Sequence, residues 1–491
     1  MLKTLRLQNF RAFQDTGDIE LKPIVVLAGP NSSGKTSILK SLLLLKQTLE
    51  MGRSGDDLNL DGRFLQLSAF NELTFGKPPL NDCKVSYKVT VENSIDYDLA
   101  LSLAKRSSYP NLKLPNKAES VRLKSEINFG FKYQQDEPRG KISVDFFNLT
   151  SFLDSSIYFK INVQIINKLY KVDMDGFSLP DYYEAGDLYT VLWRYFWPTG
   201  LLFTEKEEFK GKPYHKKINN GSLLIYLKLD PVSQTMLQDF EEELVGRLEY
   251  LGPLREEPHR AYPHSGSSSS EIGQKGENAA QILWLEKDSP VSYLPELGAA
   301  VSEVKLIDAV NDVFHKMGIG QPVSVNSEQS VMYQILFGLG EQGQKTVTIA
   351  DVGFGASQLL PVVVMGLRAD DSSLLMFEHP EIHLHPKLQA NLADFFLTLA
   401  MSGKRILVET HSDRFINRLR RRIAEDTTDE LKDKISILFV RPGENGEGST
   451  IEPMRIDRYG VIENWPPDFL PEAADEAEAI FRAGLEKRRG K

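Results

Sequence analysis

Residues 29 to 36 read GPNSSGKT, a glycine-rich stretch that ends in a lysine and a hydroxyl residue. The pattern G-x-x-x-x-G-K-[ST] binds phosphates when it follows a buried strand and opens a helix, because its glycines let backbone N–H groups turn inward. The apolar run Ile24 to Ala28 precedes this stretch, and a leucine-rich segment from Lys35 to Gln47 follows it. The sequence therefore predicts a phosphate-binding loop, with a coincidental turn before a helix as the alternative.

Each residue of this loop has an expected role. We expect the Lys35 ammonium to reach the outer phosphates of a nucleotide and the Thr36 hydroxyl to ligate Mg²⁺, while the helix N-terminus adds its positive end. A nucleotide and Mg²⁺ are thus implied, but the loop alone does not say which kind of nucleotide enzyme this is; ATP is implied by the resemblance described below. The predicted nucleotide-binding residues are Gly29, Pro30, Asn31, Ser32, Ser33, Gly34, Lys35 and Thr36.

A carboxylate ends a second apolar run, Leu374 to Phe377, at Glu378. P-loop proteins keep an acidic residue at the end of such a strand to hold magnesium through water. We therefore predict Glu378 as a metal ligand together with Thr36.

Histidines crowd the segment after Glu378. His379, Glu381, His383 and His385 fall within seven positions, a spacing that a zinc or di-metal cluster also uses. The other interpretations are a polar loop without catalytic function and a catalytic loop beside a triphosphate, which we favour. His411 follows the next apolar strand, where a histidine can sense a terminal phosphate or be purely structural.

Length and composition set limits on the whole molecule. The chain has 491 residues, a formal net charge of −10 and 41% hydrophobic residues, which is typical of a globular protein with room for a large core. Its bulk charge excludes general binding to DNA or membranes, so a nucleic-acid contact must be local. The single cysteine excludes an internal disulfide and favours a reducing compartment. We expect a cytoplasmic protein without a membrane span or secretion signal.

The remaining patterns predict an α/β fold. The continuous apolar runs 24–28, 374–377, 405–408 and 435–440 are typical of strands buried on both faces, which indicates a parallel core sheet built from both ends of the chain. Residues 60–250 alternate apolar and polar side chains, which favours antiparallel sheet. Helices are expected near residues 35–47, 235–248, 277–285, 302–317 and 355–367, and a charged helix is expected at the end of the chain.

Taken together, these motifs resemble the AAA-family ATPases of ABC/SMC type, and within them the RecF and OLD-like group of bacterial repair and anti-phage defence. The likeness covers roughly residues 1–50 and 250–491. The tail from Ile456 to Pro467 resembles a small C-terminal domain of unknown function that some of these ATPases carry. The segments that carry the resemblance are Asn9 to Phe13, Gly34 to Thr36, Gly353 to Gln358, Pro380 to Pro386 and Glu409 to Ser412.

The resemblance assigns further roles. Gly29 to Thr36 would be the Walker A loop and Glu378 the Walker B acid, while Gly355, Ser357 and Gln358 would act as a signature on the nucleotide of a second subunit. His383 to Pro386 would fall in the D-loop, His411 would be the switch histidine, and Arg11 would lie near the base or phosphates. Leu251 to Arg255 would lie near the Q-loop position, without the usual glutamine.

One position departs from the family pattern. His379 stands where ABC-type enzymes usually place a catalytic glutamate, so either its imidazole or nearby Glu381 would have to orient water. Since a missing base costs roughly 100- to 10,000-fold in rate, the resemblance predicts slow ATP hydrolysis. It also leads us to expect that His379→Glu would hydrolyse ATP faster.

The resemblance implies an ATPase head with a parallel core sheet, a β-rich antiparallel lobe with an insertion, and a small α+β C-terminal appendage. We predict four parts: 1–59, the N-terminal part with Walker A; 60–250, the β-rich lobe and variable insertion; 251–432, the C-terminal part with signature, Walker B, D-loop and switch histidine; and 433–491, the last core strand and C-terminal domain. Two copies would sandwich two ATP molecules.

The motifs define the biological role less closely than they define the chemistry. The first hypothesis is a nucleotide-gated sensor or regulatory subunit in anti-phage defence that controls a separate effector such as a nuclease or toxin. The second is a RecF-like protein of DNA repair that binds DNA when ATP is bound. Four arginines on one helix face, Arg414, Arg418, Arg421 and Arg422, would suit nucleic-acid phosphates, although a solvated face or subunit contact is the simpler interpretation.

Overall fold

The computed structural model describes residues 1–50, 57–104, 120–135, 140–166, 169–175, 188–194, 196–203, 217–218, 222–226, 231–263, 271–319, 322–328, 332–339, 345–464 and 466. The chain forms two compact units, each assembled from separated stretches. The first unit combines Met1–Leu21, Thr36–Leu248 and Pro442–Thr450, and the second combines Lys22–Lys35, Glu249–Arg441 and Ile451–Lys491. The boundaries of the four predicted parts stay a prediction.

The described strands follow in chain order: β1 (Leu2–Phe10), β2 (Phe13–Asp15), β3 (Ile19–Glu20), β4 (Ile24–Ala28), β5 (Lys84–Asp96), β6 (Ser120–Gln134), β7 (Lys141–Leu153), β8 (Ser156–Ile166), β9 (Leu169–Asp175), β10 (Leu188–Arg194), β11 (Trp197–Phe203), β12 (Lys217–Ile218), β13 (Ser222–Tyr226), β14 (Leu248–Leu251), β15 (Tyr262–Pro263), β16 (Pro290–Tyr293), β17 (Ser302–Lys305), β18 (Val323–Glu328), β19 (Met332–Leu339), β20 (Lys345–Thr348), β21 (Leu374–Glu378), β22 (Arg405–Glu409), β23 (Ile435–Arg441) and β24 (Thr450–Met454).

The described α-helices are α1 (Lys35–Glu50), α2 (Tyr97–Ala104), α3 (Pro231–Val245), α4 (Ala279–Glu286), α5 (Leu306–Met317), α6 (Phe354–Arg368), α7 (Pro386–Met401), α8 (Asp413–Glu425) and α9 (Leu431–Lys434). Within the described residues, no helix combines the length and the apolar character that crossing a membrane would require.

The predicted core strands lie side by side in a six-stranded sheet of order β14-β21-β22-β4-β23-β24. The pairs β21–β22, β22–β4 and β4–β23 are parallel, as predicted. Every residue of β4, β21 and β22 is buried, which explains why their sequences are continuous apolar runs instead of alternating ones. Because parallel strands end at the same edge, the segments after β4, β21 and β22 meet there.

The predicted antiparallel region is also confirmed. In the described residues twelve strands form one sheet, of order β12-β13-β11-β10-β9-β8-β7-β6-β5-β1-β2 with β3 beside β1. Its longest hairpin pairs Lys84–Asp96 with Ser120–Lys132 in continuous register. One face buries aromatic side chains, among them Tyr87 stacked on Phe129 at 5.3 Å between ring centroids. The alternation in the sequence therefore reflects one buried and one exposed face.

The predicted helix at 302–317 is partly wrong. Ser302–Lys305 forms β17, which pairs antiparallel with Pro290–Tyr293, and the helix begins only at Leu306. The residues of β17 lie at the surface or are partly buried, so no apolar periodicity marked the change. The predicted terminal helix lies outside the described residues.

Candidate functional site

The glycine-rich loop connects β4 to α1, as its pattern predicted. Gly29 and Gly34 have φ angles of 139° and 103°, which side-chain-bearing residues rarely adopt. A Cβ at Gly29 would also lie 2.3 Å from the carbonyl oxygen of Val440 on the neighbouring strand β23. Glycine is therefore required at position 29 both by conformation and by space.

Ser33 lies inside this loop with its side chain fully buried. In the part of the chain that the structure describes, its hydroxyl has no hydrogen-bond partner. Buried hydroxyls are rarely left in this state, because losing water without a replacement is costly. The loop thus combines a glycine cradle with an unpartnered polar atom, which fits a ligand that offers acceptor oxygens.

Lys35 opens α1 and is only 3% exposed. Its Nζ donates to the carbonyl oxygens of Gly29 at 3.1 Å and Pro30 at 2.7 Å, so the ammonium folds back over the loop. Glu409 Oε1 lies 3.9 Å from the same nitrogen. Burial lowers the pKa of Lys35, and the charge of Glu409 acts against this lowering. A buried cation at the helix start, next to the loop, is placed for a phosphate.

Glu378 is the last residue of β21 and is 5% exposed. The Tyr250 hydroxyl, on β14, donates a hydrogen bond of 2.8 Å to its Oε1. Burial, followed by the nearby Glu378, raises the pKa of Tyr250, so this hydroxyl stays a donor. No local pattern marks Tyr250 as a site residue, because its proximity to Glu378 depends on β14 lying beside β21.

Glu409 is a second buried carboxylate that the sequence did not single out as a site residue. It ends β22 and pairs in register with Glu378 on β21 and with Leu27 on β4. Since β22 lies between these strands, Glu409 contacts the segments that follow both: Lys35 at 3.9 Å and His379 Nε2 at 3.6 Å. A glutamate at the end of a buried strand was the available signal.

His379 lies between two carboxylates. Its Nδ1 is 3.8 Å from Glu381 Oε1 and its Nε2 is 3.6 Å from Glu409 Oε1. Its backbone has a φ of 44° and its N–H donates to the Glu409 carbonyl at 2.8 Å, which fixes the turn after β21. Burial alone would lower the pKa of His379, but Glu381 and Glu409 outweigh it and raise that pKa above the usual value.

Glu381 connects the turn after β21 to the end of β22. Its Oε1 accepts a hydrogen bond of 2.9 Å from the backbone N–H of His411. Burial would raise the pKa of Glu381, but the neighbouring His379 and Thr410 side chains and the hydrogen bond from the His411 backbone lower it, so the group is a carboxylate. In the described residues its Oε2 has no hydrogen-bond partner.

His411 lies flat against His379, with ring centroids 4.9 Å apart and an interplanar angle of 13°. Burial, followed by the charges of Lys35 and His379, lowers the pKa of His411 to about 4. The imidazole is therefore neutral near pH 7. Ser412 fixes the following helix, since its Oγ accepts from the Phe415 N–H at 3.1 Å and donates to Gln389 on α7.

The predicted signature residues begin α6. A Cβ at Gly355 would lie 3.5 Å from the carbonyl oxygen of His383, which places the start of this helix beside the predicted D-loop. Ser357 and Gln358 are each 6% exposed in the single chain, whereas Gly353 at the helix start is exposed. The part of the signature that faces outward is thus the helix N-terminus.

Two predicted residues belong to the first unit. Arg11 has a φ of 50°, and its backbone N–H donates to Leu73 at 2.8 Å. Burial lowers its pKa, while Glu72 and Tyr87 act in the opposite direction. Thr36 follows Lys35 as the second residue of α1. The predicted roles of Arg11 at the nucleotide and of Thr36 at the metal stay predictions.

The zinc-cluster alternative finds no support. Among the residues described here, no group of three or more histidine, cysteine or acidic side chains has the arrangement to hold a metal ion. His383 and His385 are exposed, and His385 Nδ1 accepts from the Lys387 N–H at 3.3 Å as the cap of α7. The histidine-rich segment therefore divides into a partly buried residue, His379, next to Glu378, and two exposed ones.

The arginine face of α8 is largely neutralised within the chain. Arg418 and Arg422 both pair with Asp394 on α7, and Arg421 and Arg422 pair with Glu425. Arg414 is 60% exposed, with Asp413 at 3.6 Å. These contacts favour the simpler interpretation, a paired helix surface.

Similar solved structures include an SmcHead bound to the C-winged helix domain of ScpA, with 10% identity over 93% of this chain and 98% of that one and a TM-score of 0.41. The SMC head domain from Thermotoga maritima has 11% identity over 93% and 99%, with a TM-score of 0.38. An Smc head domain derived from Pyrococcus furiosus, with an extended coiled coil and bound to the C-terminal domain of ScpA, has 11% identity over 98% and 99%, with a TM-score of 0.37.

No curated protein matches this chain. A family model described as AAA ATPase domain matches residues 1–416. The match includes the glycine-rich loop, Glu378, His379 and His411, and it confirms the prediction of an AAA-family ATPase. The chain therefore belongs to the AAA ATPase domain family.

Proposed function

We propose that this protein binds ATP with Mg²⁺ at the loop Gly29–Thr36 and hydrolyses it slowly, and that the bound nucleotide, not a covalent product, carries its signal. The observation that carries the proposal is the meeting of Lys35, Glu409 and His379 at one edge of the parallel sheet, beside Glu378. This arrangement provides a cation for phosphate and buried acids for a metal and for water.

The residues present fit the magnesium nucleotide. The backbone amides of the glycine-rich loop and the buried Ser33 hydroxyl would offer donors to phosphate oxygens, and Lys35 adds a charge. Thr36 and Glu378 would hold the metal, which when bound neutralises charge on the β- and γ-phosphates. Tyr250 keeps the Glu378 carboxylate in one orientation through its 2.8 Å hydrogen bond.

Slow turnover follows from the acid–base groups. His379 would orient the attacking water in place of the glutamate that ABC-type enzymes usually have there. Its two ring nitrogens already face Glu381 and Glu409, so the ring is held in one orientation. Because both nitrogens lie beside these carboxylates, neither is fully available to accept a proton from water. We infer that ATP stays bound for a long time because its hydrolysis is slow. A long-lived bound state suits a switch.

A second copy of this chain is the proposed partner across the nucleotide. By the resemblance, Gly355, Ser357 and Gln358 would lie opposite the terminal phosphate of the nucleotide bound by the other subunit. Because Ser357 is buried in the single chain, we propose that the exposed N-terminus of α6 makes the first contact. ATP would then favour closed pairs of subunits, and hydrolysis would release them.

We further propose a regulatory role in anti-phage defence, in the cytoplasm, with a separate effector such as a nuclease or toxin. The RecF-like alternative would need a basic surface for duplex DNA. Asp394 and Glu425 pair most of the arginines on α8, which disfavours that helix as a DNA clamp.

Equilibrium binding of ATP and ADP in the presence of Mg²⁺ tests the proposal. Lys35→Ala should abolish binding or reduce hydrolysis by at least about 100-fold, while Lys40→Ala, which changes the next lysine of the same helix, should not. Size-exclusion chromatography with light scattering should show dimers in the presence of ATP and monomers in the presence of ADP. Unchanged binding by Lys35→Ala would refute the site, and tight ATP-dependent DNA binding without a partner would favour the RecF-like role.

A further inference from the structure

Gln389 on α7 joins two segments that follow different strands of the parallel sheet. Its Nε2 donates to the carbonyl oxygen of Leu384, in the predicted D-loop after β21, at 3.0 Å. Its Oε1 accepts from the Ser412 hydroxyl, which follows β22 and His411, at 2.7 Å. Leu384 and Ser412 are each 5% exposed. One amide therefore connects the D-loop to the residue next to the predicted switch histidine.

The direction of each hydrogen bond matches the two ends of an amide. The Ser412 oxygen already accepts from the backbone N–H of Phe415, so its own proton is directed at Gln389. The carbonyl oxygen of Leu384 can only accept, so it needs a donor opposite. An ionised glutamate at position 389 would offer no donor, and a methionine of similar length would offer neither a donor nor a strong acceptor.

His411 lies between this link and a second one. Its backbone N–H donates to Glu381 Oε1 at 2.9 Å, while Gln389 holds the adjacent Ser412. The backbone on both sides of the imidazole is therefore tied to groups that follow β21. Functional side chains keep their direction only when such supporting hydrogen bonds hold them, so a shift of Gln389 would change the position of the His411 ring.

The other end of the link lies next to the surface that we propose for a second copy of the chain. His383 and His385, which flank Leu384, are exposed. The carbonyl oxygen of His383 would lie 3.5 Å from a Cβ at Gly355, near the start of α6. A second copy that docks against the start of α6 would therefore press on the segment that Gln389 holds.

We propose that Gln389 is a positioning residue that passes a movement of the D-loop to the backbone of His411, so that pairing of two subunits adjusts the switch histidine and with it the rate of hydrolysis. The inference rests on the proposed function and names the regulation of that site. Among the described residues, the Gln389 side chain bonds to Leu384 and Ser412 and not to the glycine-rich loop. Nucleotide affinity and pairing should therefore not depend on it, whereas turnover should.

Gln389→Met separates these quantities. The variant should bind ATP and form ATP-dependent dimers as the wild type does, by calorimetry and light scattering, while the kcat of the dimer falls by about tenfold. Asn391→Leu is the matched control, because that amide on the same helix donates to the Met317 carbonyl oxygen at the end of α5, at 3.2 Å. It should lower the melting temperature without changing kcat. A wild-type kcat in Gln389→Met, or the same loss of kcat in Asn391→Leu, would overturn the proposal.

A double-mutant cycle tests whether Gln389 acts through Ser412. Ser412→Ala removes the hydroxyl that Gln389 accepts from, so adding Gln389→Met to it should cost little further turnover. Losses that multiply in the double variant would contradict the link. Gln389→Glu covers a methionine variant that folds poorly, since it keeps the acceptor for Ser412 and loses the donor to Leu384. Its kcat should also fall, and a wild-type kcat would contradict the bridge.

The titration of His411, followed by NMR of ¹³C-labelled histidine, gives a readout that needs no nucleotide. In Gln389→Met the pKa of His411 should rise from about 4 toward its ordinary value, because a looser turn relieves the burial that lowers it. Asn391→Leu should leave it unchanged, and an unmoved titration in Gln389→Met would contradict the positioning role. Failure of the proposed function is distinguishable, because then Lys35→Ala itself would bind ATP normally.

Discussion

The rings of His379 and His411 are stacked at 4.9 Å, yet their environments shift their pKa values in opposite directions. His379 faces the carboxylates of Glu381 and Glu409. His411 is subject to burial first and then to the positive charges of Lys35 and His379. A proton on this pair therefore resides on His379, and His411 is the neutral member.

The first prediction concerns the titration of His411. Its folded-state pKa lies below the unfolded value, so between about pH 6.5 and pH 4 the unfolded chain binds a proton that the folded chain does not. Stability should therefore fall as the pH falls through this window, and it should fall less in His411→Asn. Unfolding in urea at pH 7 and pH 5 measures the difference.

Because His411 is exposed to solvent, which screens these charges, we predict that its imidazole titrates at a pH below 6.5 but still titrates. In His379→Gln the pKa of His411 should rise, since one of the charges that lowers it is gone. NMR of ¹³C-labelled histidine follows this directly. A His411 signal that titrates at the same pH in the wild type and in His379→Gln would contradict the proposed coupling.

The parallel core was predictable because each of its strands is buried on both faces and therefore reads as a continuous apolar run. The phosphate loop was predictable because its pattern, strand and helix are contiguous in the chain. Tyr250 carries no such local signal, and the place of Glu409 at the end of a buried strand does not by itself show which residues it contacts. Their positions follow from sheet order, which places β14 beside β21 and β22 between β21 and β4.

The predicted effect of His379→Glu changes with this environment. The resemblance alone suggests faster hydrolysis, because the substitution restores the glutamate of ABC-type enzymes. The structure places that side chain 3.6 to 3.8 Å from the oxygens of Glu409 and Glu381, so it would create three neighbouring carboxylates. Like charges about 4 Å apart repel by about 1 to 4 kcal/mol, depending on the effective dielectric constant.

We therefore expect His379→Glu to unfold at a lower temperature than His379→Gln at pH 7.5 and to turn over more slowly than the wild type. Repulsion raises the folded-state pKa values of these carboxyls, so the penalty should shrink as the pH falls and one of them is protonated. Thermal melts from pH 5 to 8 and phosphate release measure both effects. Faster hydrolysis by His379→Glu, together with an unchanged melting temperature, would show that repulsion from Glu381 and Glu409 limits neither turnover nor stability.

Glu409→Gln tests the carboxylate that joins Lys35 and His379. The substitution keeps the size of the side chain but removes its charge. Because Lys35 loses an opposing charge, ATP should bind at least as tightly as in the wild type. Because His379 loses an acceptor at 3.6 Å, kcat should fall by about 10- to 100-fold.

The control is Glu452→Gln, an exposed carboxylate paired with Arg441, which should leave both quantities unchanged. Calorimetric titration gives the affinity and a phosphate assay gives the rate. A parallel loss of affinity and rate in Glu409→Gln would instead indicate that Glu409 holds the loop in shape.

Tyr250→Phe isolates the hydrogen bond that orients Glu378. The phenyl ring retains the packing of the tyrosine, while the buried carboxylate loses a donor at 2.8 Å. A metal ligand without its outer partner typically binds about 10- to 100-fold more weakly, so the Mg²⁺ concentration for half-maximal hydrolysis should rise by at least about tenfold. Saturating Mg²⁺ should restore most of the rate. Tyr293→Phe, which removes a hydroxyl bonded to Asp312 in another cluster, serves as the control. If Tyr250→Phe lowers the rate equally at all Mg²⁺ concentrations, then the hydroxyl acts on a step other than metal binding, and the assignment of Glu378 as a metal ligand loses its support.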